Sequence, residues 1–442
     1  MSKSPLVFTA FILIATAWPI AAGQEPDGPQ SVAALAARAR RAGLRVIESK
    51  RLALVTDRPP RAGDGVDELP AVFDRAFHEW CDHYGIAAAS LPDWRACGCL
   101  VVDVERFRDA GLLPPTIPDF ANGFCADNVF WLHDQSNPAY RRHLLLHEGV
   151  HAFTLTVRGL ATPAWYAEGI AEFLATHRLD SGTGGPMFGA TPIPAKAADV
   201  EQLGRIEEIR ELRQQGRMPS LAGVLATPPG DHRSLADYAA SWAAVVLFRE
   251  HPAYAGSFAT IERGPLKPDF NDRLTAMPGF HGERAGRDFD ALTDEIDYGF
   301  DFTKSAIDWS PGRVIDGPAR VEVSAGRGWQ NVGVSLEAGR RYALRATGRC
   351  GLGRIGDVTI ETEPDGISLD WYRGRPLGRM LAAQWVESPT DGGSPRFAVV
   401  GEASSATITA TTDGPLFCKL NEPPGNLADD AGSFSVEIAP VP

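Results

Sequence analysis

The first pattern along the chain is an apolar run over residues 6–17, preceded by Lys3 and followed by Trp18-Pro19 and the small residues Ala21, Ala22 and Gly23. One cation, about a dozen apolar residues and a small-residue end predict a removable secretory signal peptide over 1–23. A membrane span would need about 20 apolar residues. No later stretch approaches that length, so the mature chain is expected to be exported, secreted or periplasmic, with no membrane span. Residues 31–42 then read as a helix and 44–56 alternate like strands. Leu69, Val72, Phe73, Ala76, Phe77 and Trp80 recur at the spacing of an amphipathic helix over 66–84. Short β-type runs at 99–104 and 129–133 flank a Pro-rich loop, and from Arg141 the period turns helical over 141–156, 163–177, 200–215, 235–250 and 288–298. After Trp309-Ser310-Pro311-Gly312 helical patterns vanish. About nine short alternating segments follow between Gly, Asp and Pro turns, and Asp413-Gly414 reads as a hairpin turn.

These patterns predict an α+β domain over 24–303, a linker over 304–318 and an all-β sandwich or jelly roll over 319–442. The 56 acidic against 43 basic residues, net charge -13, make nucleic acid an improbable partner. The six cysteines change meaning in an exported chain. Cys350 and Cys418 are expected to bridge the β domain. Cys97 and Cys99, too close in an extended segment to join each other, would each look to Cys81 or Cys125.

Chemistry concentrates in one place. In the segment His147-Glu148-Gly149-Val150-His151, the two histidines are four apart on a helix, so both imidazoles leave one face and can share a tetrahedral ion. Glu148 projects near that ion without binding it, where it can take a proton from water. A second helix carries Glu168 and Glu172 on one face, among Trp165, Ile170, Phe173 and Leu174. Two carboxylates in apolar surroundings need a cation or donors. Glu168 is the expected third ligand. Glu172, one turn on, is placed to accept the outer N–H of His147, and it is the alternative third ligand. A His/His/Glu set with one open position suits catalytic zinc.

HEGVH followed by WYAEGIAEF resembles the gluzincin metallopeptidases, firmly over about 141–177 and more loosely over 31–303. The resemblance implies a zincin-like catalytic domain with zinc on His147, His151 and Glu168 and with Glu148 as general base, acting on a protein or peptide substrate. The spacer between the second histidine and Glu168 is slightly shorter than the commonest family versions. By the same resemblance Tyr238, at the start of a later helix, is a candidate donor to the oxyanion of the reaction. The 129–133 strand is a candidate edge for an extended peptide. His143 and His177 are further candidates for the lining of the cleft.

The last acidic loop, with Glu422, Asn426, Asp429 and Asp430, precedes an alternating strand. It resembles the closing loop of small bacterial calcium-dependent galactose-binding lectins, which implies a calcium site and a carbohydrate partner. Here Glu422 and an Asp pair replace that family's residues, and every histidine of the chain lies between His78 and His281. Two function classes follow. One is an exported zinc-dependent metallopeptidase-like hydrolase. The other is a non-catalytic carbohydrate- or surface-binding protein that uses the β-sandwich, with the zincin domain as scaffold.

Overall fold

The computed structural model describes residues 31–182, 185–191, 193–200, 204–228 and 234–441; the expected signal peptide lies outside them. The described residues form two compact units. The first comprises 31–208, 222–246 and 257–278, and the second 209–221, 247–256 and 279–441. A mixed α/β region is thus followed by a β-rich one. No described helix is long and apolar enough to cross a membrane.

The first unit is built on a five-stranded sheet of β1 (Arg45–Glu48), β2 (Leu52–Thr56), β3 (Ala96–Val101), β4 (Gly123–Ala126) and β5 (Val129–His133), in the order β1-β2-β3-β5-β4. The central β2, β3 and β5 run parallel, and β1 and β4 close the two edges antiparallel. Every residue of β2 and β3 is buried, as continuous apolar strands covered on both faces should be. On one face Val55, Cys97, Cys99 and Trp131 pack with Leu35 and Ala39 of the helix Val32–Arg41. On the other, Phe130 stacks at 6.1 Å on Phe73 of the helix Leu69–Tyr84.

This topology corrects two sequence expectations. The 129–133 strand is interior, paired with β3 and β4; the free edge on that side belongs to β4. The cysteine pairings also fail, because all six thiols are free. Cys97 and Cys99 face the helix Val32–Arg41, whereas Cys125 pairs directly across from Phe130, and Cys81 lies on the helix that packs against Phe130's face. The sheet separates the proposed partners.

The helix Pro138–Arg158 carries the histidines. Asn137 caps it, its side chain accepting from Ala139 N at 2.8 Å and Tyr140 N at 3.0 Å, and Pro138 occupies the first turn, where no N–H is needed. Gly159, at φ 60°, ends it in the left-handed conformation. The helix Ala164–Ala175 follows, buried at every residue. Its Gly169 permits close approach to the helix Leu235–Glu250: a Cβ there would lie 2.8 Å from the Ser241 carbonyl carbon.

In the second unit one sheet runs Arg396–Glu402, Met380–Val386, Gly414–Leu420, Gln330–Leu336, Arg313–Val314. The other runs Val358–Thr362, Cys350–Ile355, Asp430–Val441, Arg341–Thr347, Ser405–Thr409, with Ala319–Ser324 also paired to Asp430–Val441. Val334, Leu336 and Leu416 of the first share a core with Tyr342, Leu344, Val436 and Ile438 of the second, a sandwich-like arrangement. From Ala319 onward there are twelve strands among the described residues, more than the nine segments expected. Asp413-Gly414 makes no hairpin. The strands on either side of it belong to different sheets, and Asp413 Oδ1 accepts from Ala338 N at 2.7 Å, fixing a crossover. Cys350 and Cys418 likewise sit in opposite sheets. Both are buried in the shared core, and both thiols are free.

Candidate metal centre

His147 and His151 project from successive turns of Pro138–Arg158, and their Nε2 atoms stand 3.1 Å apart. Glu168, from Ala164–Ala175, places Oε2 3.4 Å from His147 Nε2 and 3.3 Å from His151 Nε2, yet this oxygen makes no hydrogen bond. Three donor atoms therefore converge on one point, the two imidazole nitrogens within hydrogen-bond distance of each other and the Glu168 oxygen left without a partner. A tetrahedral ion with arms of 2.0–2.1 Å has donor–donor edges of about 3.3 Å. The observed spacings match that edge, so the residues fit a zinc-sized ion. All three side chains are buried.

The electrostatics agree. Burial lowers the pKa of His147, but Glu168 and Glu172 outweigh it and raise the value to about 10. Burial acts to raise that of Glu168, and His151 and His147 override it, holding the carboxyl far below the usual range. Without an ion, a proton on His147 compensates the carboxylate.

Glu148 follows His147 on the helix and is fully buried, with neither carboxylate oxygen hydrogen-bonded. Desolvation, with added repulsion from Glu168 and Glu172, lifts its pKa to about 7 against the pull of His147 and His151. A base poised near neutrality is what proton transfer from water requires. Gly123 of β4 lies directly against it.

Glu172 occupies the other side of His147: its Oε1 is 3.2 Å from Nδ1 and its Oε2 is 3.1 Å from His143 Nε2. Arg205 grips both oxygens, donating from Nε at 3.0 Å and from Nη2 at 2.8 Å. Burial would raise the Glu172 pKa, but Arg205 and His143 hold it well below the ordinary range. Sequence reasoning missed Arg205. It lies 33 residues from Glu172, and nothing in its own surroundings marks it.

The buried Tyr238 has its ring 6.2 Å from that of His147 and under the Arg205 guanidinium at 5.8 Å. His143 is brought to the site through Glu172. His177 is held elsewhere, its Nδ1 donating to Ala175 O at 2.7 Å and its Nε2 accepting from Arg142 at 2.6 Å. Burial, reinforced by Arg142 and His143, lowers its pKa to about 3 and keeps it neutral.

In the acidic loop of the second unit, Glu422 Oε2 and both carboxylate oxygens of Asp430 are buried without hydrogen bonds. Asn426 Nδ2 donates to Glu422 Oε1 at 3.3 Å. Asp429 lies against Gly353. Burial and repulsion from Asp430 raise Glu422 to about 8, and burial and repulsion from Asp429 raise Asp430 to about 7. These residues do not close to the spacing of the histidine site. Among the described residues, donor sets within 4.8 Å of one another occur only at His147/His151/Glu168 and His143/His147/Glu172.

No family model matches the chain. No curated protein matches it in sequence. Among solved structures there is a likeness to a chain titled EclA N-terminal domain, PllA-like lectin. The two are 21% identical, with a TM-score of 0.21, over 28% of this chain and 96% of that one. What the described residues define is a buried His/Glu cluster able to coordinate a metal ion.

Proposed function

We propose that the chain is an exported, zinc-dependent hydrolase of peptide bonds, with a zincin-like first domain carrying the chemistry. The observation that carries this reading is the convergence of His147 Nε2, His151 Nε2 and Glu168 Oε2 at 3.1–3.4 Å beside the unpaired carboxylate of Glu148. Zinc in this set would supply Lewis acidity, polarising the scissile carbonyl and acidifying water. Glu148 takes the proton from the attacking water and delivers it to the leaving amine. Glu172 fixes the tautomer of His147 by accepting from Nδ1. Tyr238 supplies a donor for the tetrahedral oxyanion. Metal analysis of the purified protein together with digestion of an unfolded protein substrate tests this: one zinc per chain and cleavage that Glu148→Gln abolishes are expected.

A second reading is favoured by a separate observation, the orphaned carboxylates of Glu422 and Asp430. In it the second unit is a jelly-roll module that binds calcium through Glu422, Asp429, Asp430 and the Asn426 carbonyl and presents a carbohydrate- or surface-binding site, with the first unit as scaffold. Retention on a galactose resin that EDTA abolishes, together with full zinc loading but no cleavage across a peptide library, would favour it.

A further inference from the structure

His147 belongs to two overlapping donor sets. Besides His147/His151/Glu168, the atoms of His143, His147 and Glu172 also lie within 4.8 Å of one another and have the composition of a second metal site. Such pairs sharing one ligand invite a dinuclear centre. Arg205 changes that outcome. Its guanidinium lies on Glu172 with two hydrogen bonds, 3.0 Å to Oε2 and 2.8 Å to Oε1, and the residue is itself buried. Each Glu172 oxygen therefore meets one guanidinium N–H and one imidazole nitrogen, Oε2 with His143 and Oε1 with His147.

We propose that Arg205 is a built-in cation occupying the electrostatic place of a second metal, which keeps the centre mononuclear and locks His147 toward the first. The proposal rests on the reading that His147, His151 and Glu168 hold a metal. Two physical points carry it. For His147 Nε2 to offer a lone pair, the neutral ring must carry its proton on Nδ1, where Glu172 Oε1 accepts it at 3.2 Å. A second ion could use that nitrogen only by displacing the proton to give a bridging imidazolate. Glu172 stays in place as a carboxylate acceptor of that proton because Arg205 holds both its oxygens. A second divalent cation would also share Glu172 with a buried guanidinium, and like charges at that separation in a dry interior repel strongly. Arg205 is in turn fixed over the Tyr238 ring. It is a positioning residue, acting through Glu172.

The test is zinc binding to the full-length protein by equilibrium dialysis with metal analysis, over a wide range of free zinc. Wild type and Arg205→Lys should saturate at one zinc per chain. Arg205→Met should take up a second zinc, which adding His143→Ala removes, and should hold the first about 10–100-fold more weakly. His143→Ala alone should leave the wild-type stoichiometry at one. Arg205→Met with one zinc at unchanged affinity would overturn the proposal while leaving the metal reading intact. Wild type with no zinc would end both. Should Arg205→Met fail to fold, the cobalt-substituted wild type decides. An isolated high-spin ion is expected, and a spin-coupled pair would overturn the proposal.

Discussion

Gly123 and Glu148 are packed so closely that no side chain fits between them: a Cβ on Gly123 would fall 2.7 Å from Glu148 Cδ and nearer still to Oε1. The edge strand β4 thus sets the position of the proposed general base. Gly123→Ala should displace Glu148 while leaving the metal donors in place. Peptide hydrolysis is expected to fall about 100-fold or more, with zinc content unchanged. Full activity in this variant would show that Glu148 does not act from its present position.

Gly169 plays the same spatial part for the fold. Its missing Cβ lets Ala164–Ala175 lie against Ser241, and backbone cannot yield as a flexible side-chain end can. Gly169→Ala should cost about 1–3 kcal/mol or more by overpacking. Urea unfolding would register it as a lower midpoint, and zinc affinity should fall with it because Glu168 rides on that helix.

That His147 and His151 share one helix face, and Glu168 and Glu172 another, is legible from their four-residue spacings. The approach of the two helices that brings Glu168 to both histidines is instead set by tertiary packing. Arg205 is not legible, because its bond to Glu172 is set by the tertiary path of the chain. The same limit explains the misread strands. Alternation marks 129–133 and 414–420 as β, but edge or interior, same sheet or opposite sheet, depends on partners distant in sequence. The cysteine pairings failed for a related reason: sequence separation does not say on which side of a sheet a thiol lies.

Asp290 ties stability to pH. Burial, with repulsion from Glu387 and Asp294, outweighs Arg213 and raises its pKa to about 7. The folded state therefore keeps this proton over a range in which the unfolded chain, with a value near 3.8, has lost it. Stability from this group is present below about pH 4 and declines as pH rises to about 7. Asp290→Asn should flatten that decline and gain about 1–3 kcal/mol over wild type at pH 8. Denaturant titrations of both proteins at pH 5 and pH 8 measure the difference; an equal change with pH in both would count against it.

The acidic loop makes its own prediction. If Glu422 and Asp430 bind calcium, saturating calcium should raise the melting temperature, because a ligand at about 100 times its Kd adds about 2.7 kcal/mol. Asp430→Asn should remove a buried unpaired carboxylate. It should raise the melting temperature of the calcium-free protein and abolish the response to calcium. Calorimetric scans with calcium and with EDTA distinguish these outcomes, and a wild type indifferent to calcium would leave the loop purely structural.

The central claim is the metal centre, and X-ray absorption at the zinc edge of the purified protein tests it most directly. The account predicts one zinc per chain bound by two imidazoles and a carboxylate, lost in His147→Ala and in His151→Ala and retained in Glu148→Gln. A protein that carries no zinc after exposure to it, or whose zinc survives both histidine substitutions with imidazole absent from its shell, would contradict the account.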